Sequence, residues 1–122
     1  MPGCTIVVDI PFEAAHRLPN VPPTHKCFRM HGHSYVCEVH VTGPIGDHTG
    51  WVCDYSEIRA AFEPLRMQLD HHCLNEIAGL ANPTSENISR WIWQHLKPNL
   101  PMLTRIVLHE TVYARCVFEG EN

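Results

Sequence analysis

The sequence has little that would place it among nucleic-acid-binding, membrane or secreted proteins. It carries a formal net charge of −4 and no run of like charges, so a nucleic-acid or polybasic membrane role has no support. No apolar run is long enough to cross a bilayer, and the N-terminus has no basic region followed by an apolar stretch. Internal repeats and low-complexity segments are also missing. We therefore expect a soluble cytoplasmic protein without nucleic-acid or membrane partners.

The cysteines also lack the pattern of a disulfide framework or of a C-x-x-C motif. All six are spread along the chain without a secretory signal, so reduced thiols, most of them in the core, are the favoured interpretation. Histidine, in contrast, is abundant, with ten copies in 122 residues. Such an excess is typical of a metal-binding or proton-transferring protein, although composition alone does not separate these from chance.

The length predicts one domain, spanning residues 1–122. Apolar and β-branched residues predict four strands, at Thr5–Ala15, His31–Thr42, Met102–Thr111 and Val112–Glu119. Two helices are predicted between the second and third strands. The first follows Asp54 and continues, with a kink, past Pro64, and the second is capped by Thr84 and ends at Pro98.

The predicted order of elements is β-β-α-α-β-β, which indicates an α+β fold. We expect a four-stranded antiparallel sheet with the two helices on one face. Such an open sheet has two unpaired edges, which invite pairing with another chain. The pattern therefore favours a homo-oligomer, with the chain as one unit of a closed ring.

The sequence C-F-R-M-H-G-H at 27–33 contains the strongest candidate site. His31 and His33 fall on one face of the predicted strand, because side chains alternate along a strand, and His16 ends the neighbouring strand. Three histidines with an open fourth position are typical of catalytic zinc. The alternative is a closed structural site in which Cys27 is the fourth ligand. We favour the open site, because structural sites usually bring their ligands as two close pairs.

Three further groups are weaker candidates when taken alone. Asp70 and His71 follow the first helix, where a histidine is favoured by the helix dipole and an aspartate is often only solvated. Glu110 falls on the same face of its predicted strand as several apolar residues, and a carboxylate on such a face needs a hydrogen-bond or charge partner. Lys26 and Arg29 flank Cys27, where they could receive an anionic substrate or serve only the solubility of a loop.

Several motifs together resemble the 6-pyruvoyl-tetrahydropterin synthase superfamily over essentially the whole chain. They are F-E-A-A-H-R-L at 12–18, C-F-R-M-H-G-H-S-Y at 27–35, G-W-V-C-D-Y at 50–55, L-D-H-H-C-L-N at 69–75, N-P-T-S-E-N at 82–87, W-I-W at 91–93 and H-E-T at 109–111. The spacing of three residues between Cys27 and His31 is similar to that of the bacterial 6-carboxy-5,6,7,8-tetrahydropterin synthases. Phe28 departs from that branch, in which a small residue usually follows the cysteine.

The resemblance implies a tunnelling fold and a lyase of queuosine (7-deazaguanine) biosynthesis. It implies one zinc ion per chain on His16, His31 and His33, with 7,8-dihydroneopterin triphosphate as substrate and 6-carboxy-5,6,7,8-tetrahydropterin, acetaldehyde and triphosphate as products. The implied catalytic residues are Cys27 as base, His71 with Asp70 as proton relay, and Glu110 as anchor of the pterin ring. We expect Thr84, Ser85, Arg29 and Lys26 to assist substrate binding. The implied assembly is a hexamer, formed as a dimer of trimers.

Two other functions remain open at this point. The same residues would serve 6-pyruvoyl-tetrahydropterin synthesis, which uses the same substrate and keeps its three-carbon side chain. A zinc-binding module without catalytic activity would instead use Cys27 as a fourth ligand.

Overall fold

The structure is a computed structural model that describes residues 3–121. Its strands are β1 (Cys4–His16), β2 (His31–Gly43), β3 (His72–Cys73), β4 (Leu103–Thr111) and β5 (Ala114–Phe118), and its helices are α1 (Tyr55–Leu69) and α2 (Ser85–Leu96). None of the helices in this part of the chain is long and apolar enough to cross a membrane. The order of the long elements is the predicted one.

The sheet has five strands in the order β3-β1-β2-β4-β5. The prediction of four antiparallel strands was wrong in this respect, because β3 pairs parallel with residues Ala14 and Ala15 of β1. A strand of two residues is too short to show a period, so the sequence pattern could not reveal it. The other pairs, β1 with β2, β2 with β4 and β4 with β5, are antiparallel as expected.

The two helices begin where their capping residues predict. The Asp54 carboxylate accepts a hydrogen bond from the Ser56 backbone N–H at 2.9 Å, and α1 then continues unbroken through Pro64. The Thr84 hydroxyl accepts a hydrogen bond from the Asn87 backbone N–H at 3.1 Å at the start of α2. These caps satisfy N–H groups that have no partner inside a helix.

The hydrophobic core lies between the helices and one face of the sheet. Alternate residues of β2 point into it, and Tyr35, Cys37, Val39 and Val41 are all fully buried. Phe12 stacks on Tyr35, with ring centroids 5.0 Å apart. The opposite face of the sheet has no helix packed on it within the described residues, and it carries polar side chains between exposed valines. The core-facing side of β1 and β2 ends at the three histidines. The packing of the core therefore fixes the position of the strands that carry them.

Candidate metal centre and active site

Three histidines meet where β1 ends and β2 begins. His16 is paired directly with His31, and His33 lies two residues further along β2 on the same face. Their ring centroids are 4.6 to 5.2 Å apart, and one nitrogen of each ring lies within 4.8 Å of the others. The structure therefore brings together the three residues predicted as metal ligands.

Hydrogen bonds orient two of these rings. The Nδ1 atom of His16 lies 2.8 Å from the carbonyl oxygen of Pro83, and the Nδ1 atom of His31 lies 2.7 Å from that of Arg29. Because a carbonyl only accepts, each Nδ1–H must donate, which leaves a lone pair on each Nε2. The Tyr35 hydroxyl lies 3.4 Å from Nε2 of His16, at the long end of the hydrogen-bond range. The Nε2 atom of His33 is buried and has no hydrogen-bond partner. An unpaired buried nitrogen beside two such lone pairs fits a metal ion.

Burial keeps two of the rings, those of His16 and His33, in the form that binds metals. It lowers the pKa of His16, against the raising effect of the hydrogen bond to Pro83, and it lowers the pKa of His33, against the charge of Glu110. A lowered pKa means a neutral imidazole at pH 7, and neutral imidazole is the ligand form. Zinc takes three such ligands in catalytic sites, so the donor set suits zinc.

Cys27 lies beside the cluster and is not part of it. It sits in a 3₁₀ turn at Lys26–Phe28, where its N–H donates to Nδ1 of His25 at 3.0 Å and its carbonyl accepts from the N–H of Leu18 at 2.8 Å. Phe28 lies under the Arg17 guanidinium, 5.3 Å from it. A cleft of about 410 Å³ is lined by Lys26, Cys27, His31, Gly32, His33, Glu110 and Thr111. The thiol thus shares a cleft with two of the histidines.

Glu110 lies in the same cleft, and it has the partner that its position requires. Its Oε2 accepts a hydrogen bond from the Ser85 hydroxyl at 2.7 Å, and its Oε1 lies 3.6 Å from Nε2 of His33. The side chain is 30% exposed, so it can contact a molecule in the cleft. A neighbouring cleft of about 500 Å³ is lined by Glu110, Thr84 and Ser85 among others. The Arg29 side chain is exposed, and its carbonyl orients His31.

Asp70 and His71 form a second centre outside the Cys27 cleft. Asp70 accepts hydrogen bonds from the Glu13 backbone N–H at 2.8 Å and from Nη1 of Arg66 at 3.3 Å, and it lies 3.0 Å from Nδ1 of His71. The bond from Glu13 and the bond to His71 lower the pKa of Asp70, so the carboxylate stays charged. This aspartate is therefore held on three sides and is not merely solvated.

His71 is unusual in its backbone and in its exposure. Its φ of 60° lies in the left-handed region, which costs energy for any residue other than glycine, and its side chain is 76% exposed. It lines a separate cleft of about 450 Å³ with Glu13, Ser34 and Cys73, among others. In that cleft the Ser34 hydroxyl donates to Glu13 at 2.6 Å. Within one chain, the predicted relay and Cys27 lie in different clefts.

Sequence reasoning missed three groups that shape the site. Tyr35 is fully buried beneath the histidines, with its hydroxyl 3.3 Å from Nδ1 of His16, and burial raises its pKa so that the phenol stays protonated. Tyr35 follows His31 and His33 at the two-residue spacing of one strand face, and that spacing could have identified it. The carbonyl of Pro83 and the backbone of Glu13 left no signal, because any residue type offers the same backbone groups.

Comparisons with known proteins agree with this geometry. The family model for 6-pyruvoyl tetrahydropterin synthase matches residues 5–121. A 6-carboxy-5,6,7,8-tetrahydropterin synthase of Synechocystis is 40% identical over 112 residues, which cover 87% of this chain and 85% of the relative. A 6-pyruvoyl tetrahydrobiopterin synthase of Drosophila melanogaster is 35% identical over 117 residues, covering 82% and 70%.

The fold has a solved counterpart. The structure of 6-pyruvoyl tetrahydropterin synthase from Caenorhabditis elegans superimposes with a TM-score of 0.89 at 26% identity, and the match covers 99% of this chain and 98% of that one. This similarity confirms the α+β class and the tunnelling fold that the resemblance implied. The chain therefore belongs to the 6-pyruvoyl tetrahydropterin synthase family.

Proposed function

We propose that this chain is a zinc-dependent lyase that converts 7,8-dihydroneopterin triphosphate and water to 6-carboxy-5,6,7,8-tetrahydropterin, acetaldehyde and triphosphate in queuosine biosynthesis. The observation that carries the proposal is one cleft lined by two of the three clustered histidines, a thiol and a carboxylate. The similarity to the Synechocystis carboxy synthase, at 40% identity, supports this branch of the family.

The three histidines would hold one zinc ion per chain, and His16 and His31 would use the Nε2 atoms, because their Nδ1 atoms hydrogen-bond to backbone carbonyls. When bound there, zinc supplies a Lewis acid for the side-chain oxygens of the substrate, which makes the adjacent carbon-bound and hydroxyl protons easier to remove. The hydrogen bonds from His16 to Pro83 and from His31 to Arg29 fix the two rings in the ligating tautomer.

Glu110 would orient the pterin ring. A carboxylate has several acceptor positions, and the Ser85 hydroxyl occupies one on Oε2. The remaining positions can accept two hydrogen bonds from the donor edge of the aminopyrimidine, in the bidentate manner that carboxylates favour. Thr84 and Ser85 begin α2 beside this carboxylate, and Lys26 lines the cleft on the Cys27 side, where an anionic substrate gains from a positive charge. We include the exposed Arg29 in the same role.

Cys27 is the proposed base of the reaction. The Cys27 N–H donates to the His25 ring and the Cys27 carbonyl accepts from the Leu18 N–H, so both backbone groups of this cleft-lining residue are held in place. A thiolate at that position would take a proton from the substrate side chain. Asp70 holds Nδ1 of His71, so Nε2 is the ring atom left to exchange protons with the reacting groups.

The relay would reach the Cys27 cleft from a neighbouring copy of the chain. The high exposure of the His71 side chain supports this arrangement. So does the position of His71 in a cleft of its own, because a single chain does not bring His71 to Cys27. We propose a homo-oligomer, a hexamer formed as a dimer of trimers, in which each chain gives its relay to one neighbour.

A product assay tests the proposed function. The zinc-loaded protein is supplied with 7,8-dihydroneopterin triphosphate, and acetaldehyde, triphosphate and the pterin products are quantified. Acetaldehyde with the 6-carboxy product is the expected result. A three-carbon pyruvoyl product would instead assign the chain to the synthase activity for which the Drosophila relative is named. Bound zinc without any product would leave only a binding module.

A further inference from the structure

The turn that carries Cys27 is closed by hydrogen bonds within its own loop. The N–H of His25 donates to the Pro22 carbonyl at 2.8 Å, the N–H of Phe28 donates to the His25 carbonyl at 3.1 Å, and the Cys27 N–H donates to the His25 ring at 3.0 Å. These bonds give the loop its shape. Because all three lie within residues 22–28, they do not set where the turn lies relative to the metal-binding histidines.

Two contacts connect this turn to the segment that follows β1. The Cys27 carbonyl accepts a hydrogen bond from the Leu18 N–H at 2.8 Å. Beside it, the guanidinium carbon of Arg17 lies over the Phe28 ring, 5.3 Å from the ring centroid. A guanidinium within about 6 Å of a ring centroid makes a cation–π interaction. Arg17 forms no ion pair within residues 3–121, so no carboxylate there competes with the ring for its charge.

Asn75 holds the backbone of Arg17. Its Oδ1 accepts a hydrogen bond from the Arg17 N–H at 2.9 Å, and its Nδ2 donates to the Arg17 carbonyl at 2.9 Å and to the Ala81 carbonyl at 3.4 Å. Leu74, the residue before Asn75, is fully buried in the core. The core therefore fixes Asn75, and Asn75 fixes the segment from which both contacts to the Cys27 turn begin.

The same segment joins the turn to the metal centre. Arg17 directly follows His16, so one stretch of backbone sets the position of a candidate zinc ligand and of the turn that carries the proposed base. Of the three residues in that turn, Lys26 and Cys27 line the cleft, and the ring of Phe28 stacks under Arg17. Phe28 is thus placed to act on the reaction through the position of its neighbour Cys27.

We propose that Phe28 is a positioning residue, whose ring under the Arg17 guanidinium keeps the Cys27 turn against the strand end that carries His16. The inference rests on the proposed function and adds to it the side-chain contact that sets the thiol relative to the metal centre. It also gives a role to the position at which this chain departs from the carboxy branch, in which a small residue usually follows the cysteine. A small side chain has no ring face, so it cannot make this contact.

Two replacements of Phe28 separate the cation–π contact from simple packing. Phe28→Leu keeps an apolar side chain and removes the ring face, whereas Phe28→Tyr keeps the ring face. The side chain is only partly buried, so the fold should tolerate both changes. Loss of a cation–π contact at a partly exposed site corresponds to a factor of about 2 to 5 in an equilibrium or a rate.

Steady-state kinetics of the zinc-loaded variants with 7,8-dihydroneopterin triphosphate test the effect on the reaction. The kcat of Phe28→Leu should fall by about 2- to 5-fold with KM unchanged, because the contact places the base and does not bind the substrate. Phe28→Tyr should retain the kcat of the parent protein, and both variants should retain its zinc content. An unchanged kcat for Phe28→Leu, or an equal loss in Phe28→Tyr, would overturn the positioning role.

Amide hydrogen exchange tests the same contact without substrate. The Leu18 N–H is bonded to the Cys27 carbonyl, so its exchange rate measures how often the turn detaches. That rate should rise by about 2- to 5-fold in Phe28→Leu and stay at the parent value in Phe28→Tyr. The amide of Val39, fully buried in a strand of the sheet, is the control and should be unaffected. Equal acceleration at Val39 would indicate a general loss of stability and would overturn the inference.

A double-mutant cycle with Arg17→Met shows whether the two side chains act on each other. Methionine keeps an unbranched chain and removes the charge. If the pair acts as one contact, Leu18 in Arg17→Met/Phe28→Leu should exchange no faster than in either single variant, whereas multiplied effects would refute the pairing. Faster exchange in Phe28→Leu together with no product from the parent protein would confirm the contact and refute the lyase. Product formation with parent-like exchange and kcat in Phe28→Leu would refute the positioning role and leave the lyase intact.

Discussion

Replacing Glu110 with glutamine gives the sharpest test of how the proposed substrate is recognised. The change keeps the shape of the side chain, but one acceptor oxygen becomes an N–H₂ donor. Because the Ser85 hydroxyl donates at 2.7 Å, the glutamine carbonyl is expected to turn toward Ser85. The new N–H₂ group then faces the donor edge of the pterin.

The expected cost follows from this mispairing. A buried polar group without a proper partner costs about 1–3 kcal/mol, which corresponds to about 5- to 150-fold in kcat/KM. The Glu110 side chain is 30% exposed, so we expect the lower half of that range, about 5- to 30-fold. The loss should appear mainly in KM, since the interaction is made to the ring and not to the reacting side chain.

Steady-state kinetics with 7,8-dihydroneopterin triphosphate measure this loss, and Ser85→Ala is the matched control. That variant keeps both acceptor oxygens of Glu110 and removes only the hydroxyl that orients them, so a loss of about 2- to 10-fold is expected. The zinc content and melting temperature of both variants should match the parent protein. An unchanged kcat/KM for Glu110→Gln would show that this carboxylate does not anchor the substrate.

Three further predictions test other parts of the site and the fold. The Cys27→Ala and His71→Ala proteins should each be inactive alone. If the thiol and the imidazole of one site come from different chains, co-expression of the two variants should recover about a quarter of the parent activity. No recovery in mixed oligomers verified by native mass spectrometry would refute the shared site. His71→Gly should also be inactive, yet more stable than His71→Ala by up to about 1 kcal/mol in chemical denaturation, because glycine adopts a φ of 60° without strain; equal stability would show that this backbone stores no strain. Burial raises the pKa of Glu38, but hydrogen bonds from His109 and His40 outweigh it and lower this pKa below its ordinary value of 4.5. The ionised carboxylate therefore stabilises the fold above pH 4.5, and this stabilisation is lost as the pH falls through the lowered pKa. Melting temperatures between pH 6 and 3 should therefore fall more steeply for the parent protein than for Glu38→Gln, and parallel curves would contradict this linkage.

The parts of the fold that sequence reasoning predicted are those with a strong local pattern. The alternation from Tyr35 to Val41 identified the core face of β2, and the same parity placed His31 and His33 together. The caps at Asp54 and Thr84 identified where both helices begin. Each of these signals depends on residues close together in the chain, so one sequence is sufficient to read them.

The parts that were missed depend on contacts between distant segments. β3 becomes a strand only because the backbone of Glu13 holds Asp70 and His71 beside β1. The fifth strand begins at Ala114, later than predicted, because Val112 and Tyr113, although β-forming residues, belong to the turn and are 86% and 94% exposed. Local preference favours a strand there, but the position of the turn is set by the pairing of β4 with β5.

Sequence patterns also could not predict that the candidate site residues are divided between two clefts. Spacing placed Cys27 near His31, and it gave no information on which side of the sheet His71 would lie. The structure places Cys27 and His31 in one cleft and His71 in another, and Gly32 and His33 line both clefts. A period along one strand cannot reveal this, since it depends on the path of the chain after α1.

The metal content of the Cys27→Ala protein tests the central claim most directly. The account holds that three histidines bind zinc and leave the thiol free to act as a base. Elemental analysis of purified Cys27→Ala should therefore show about one zinc per chain, as in the parent protein, together with complete loss of acetaldehyde formation, while His31→Ala should lose the metal. Loss of zinc from Cys27→Ala would make the thiol a fourth ligand, and the site would then be a closed structural centre instead of a catalytic one.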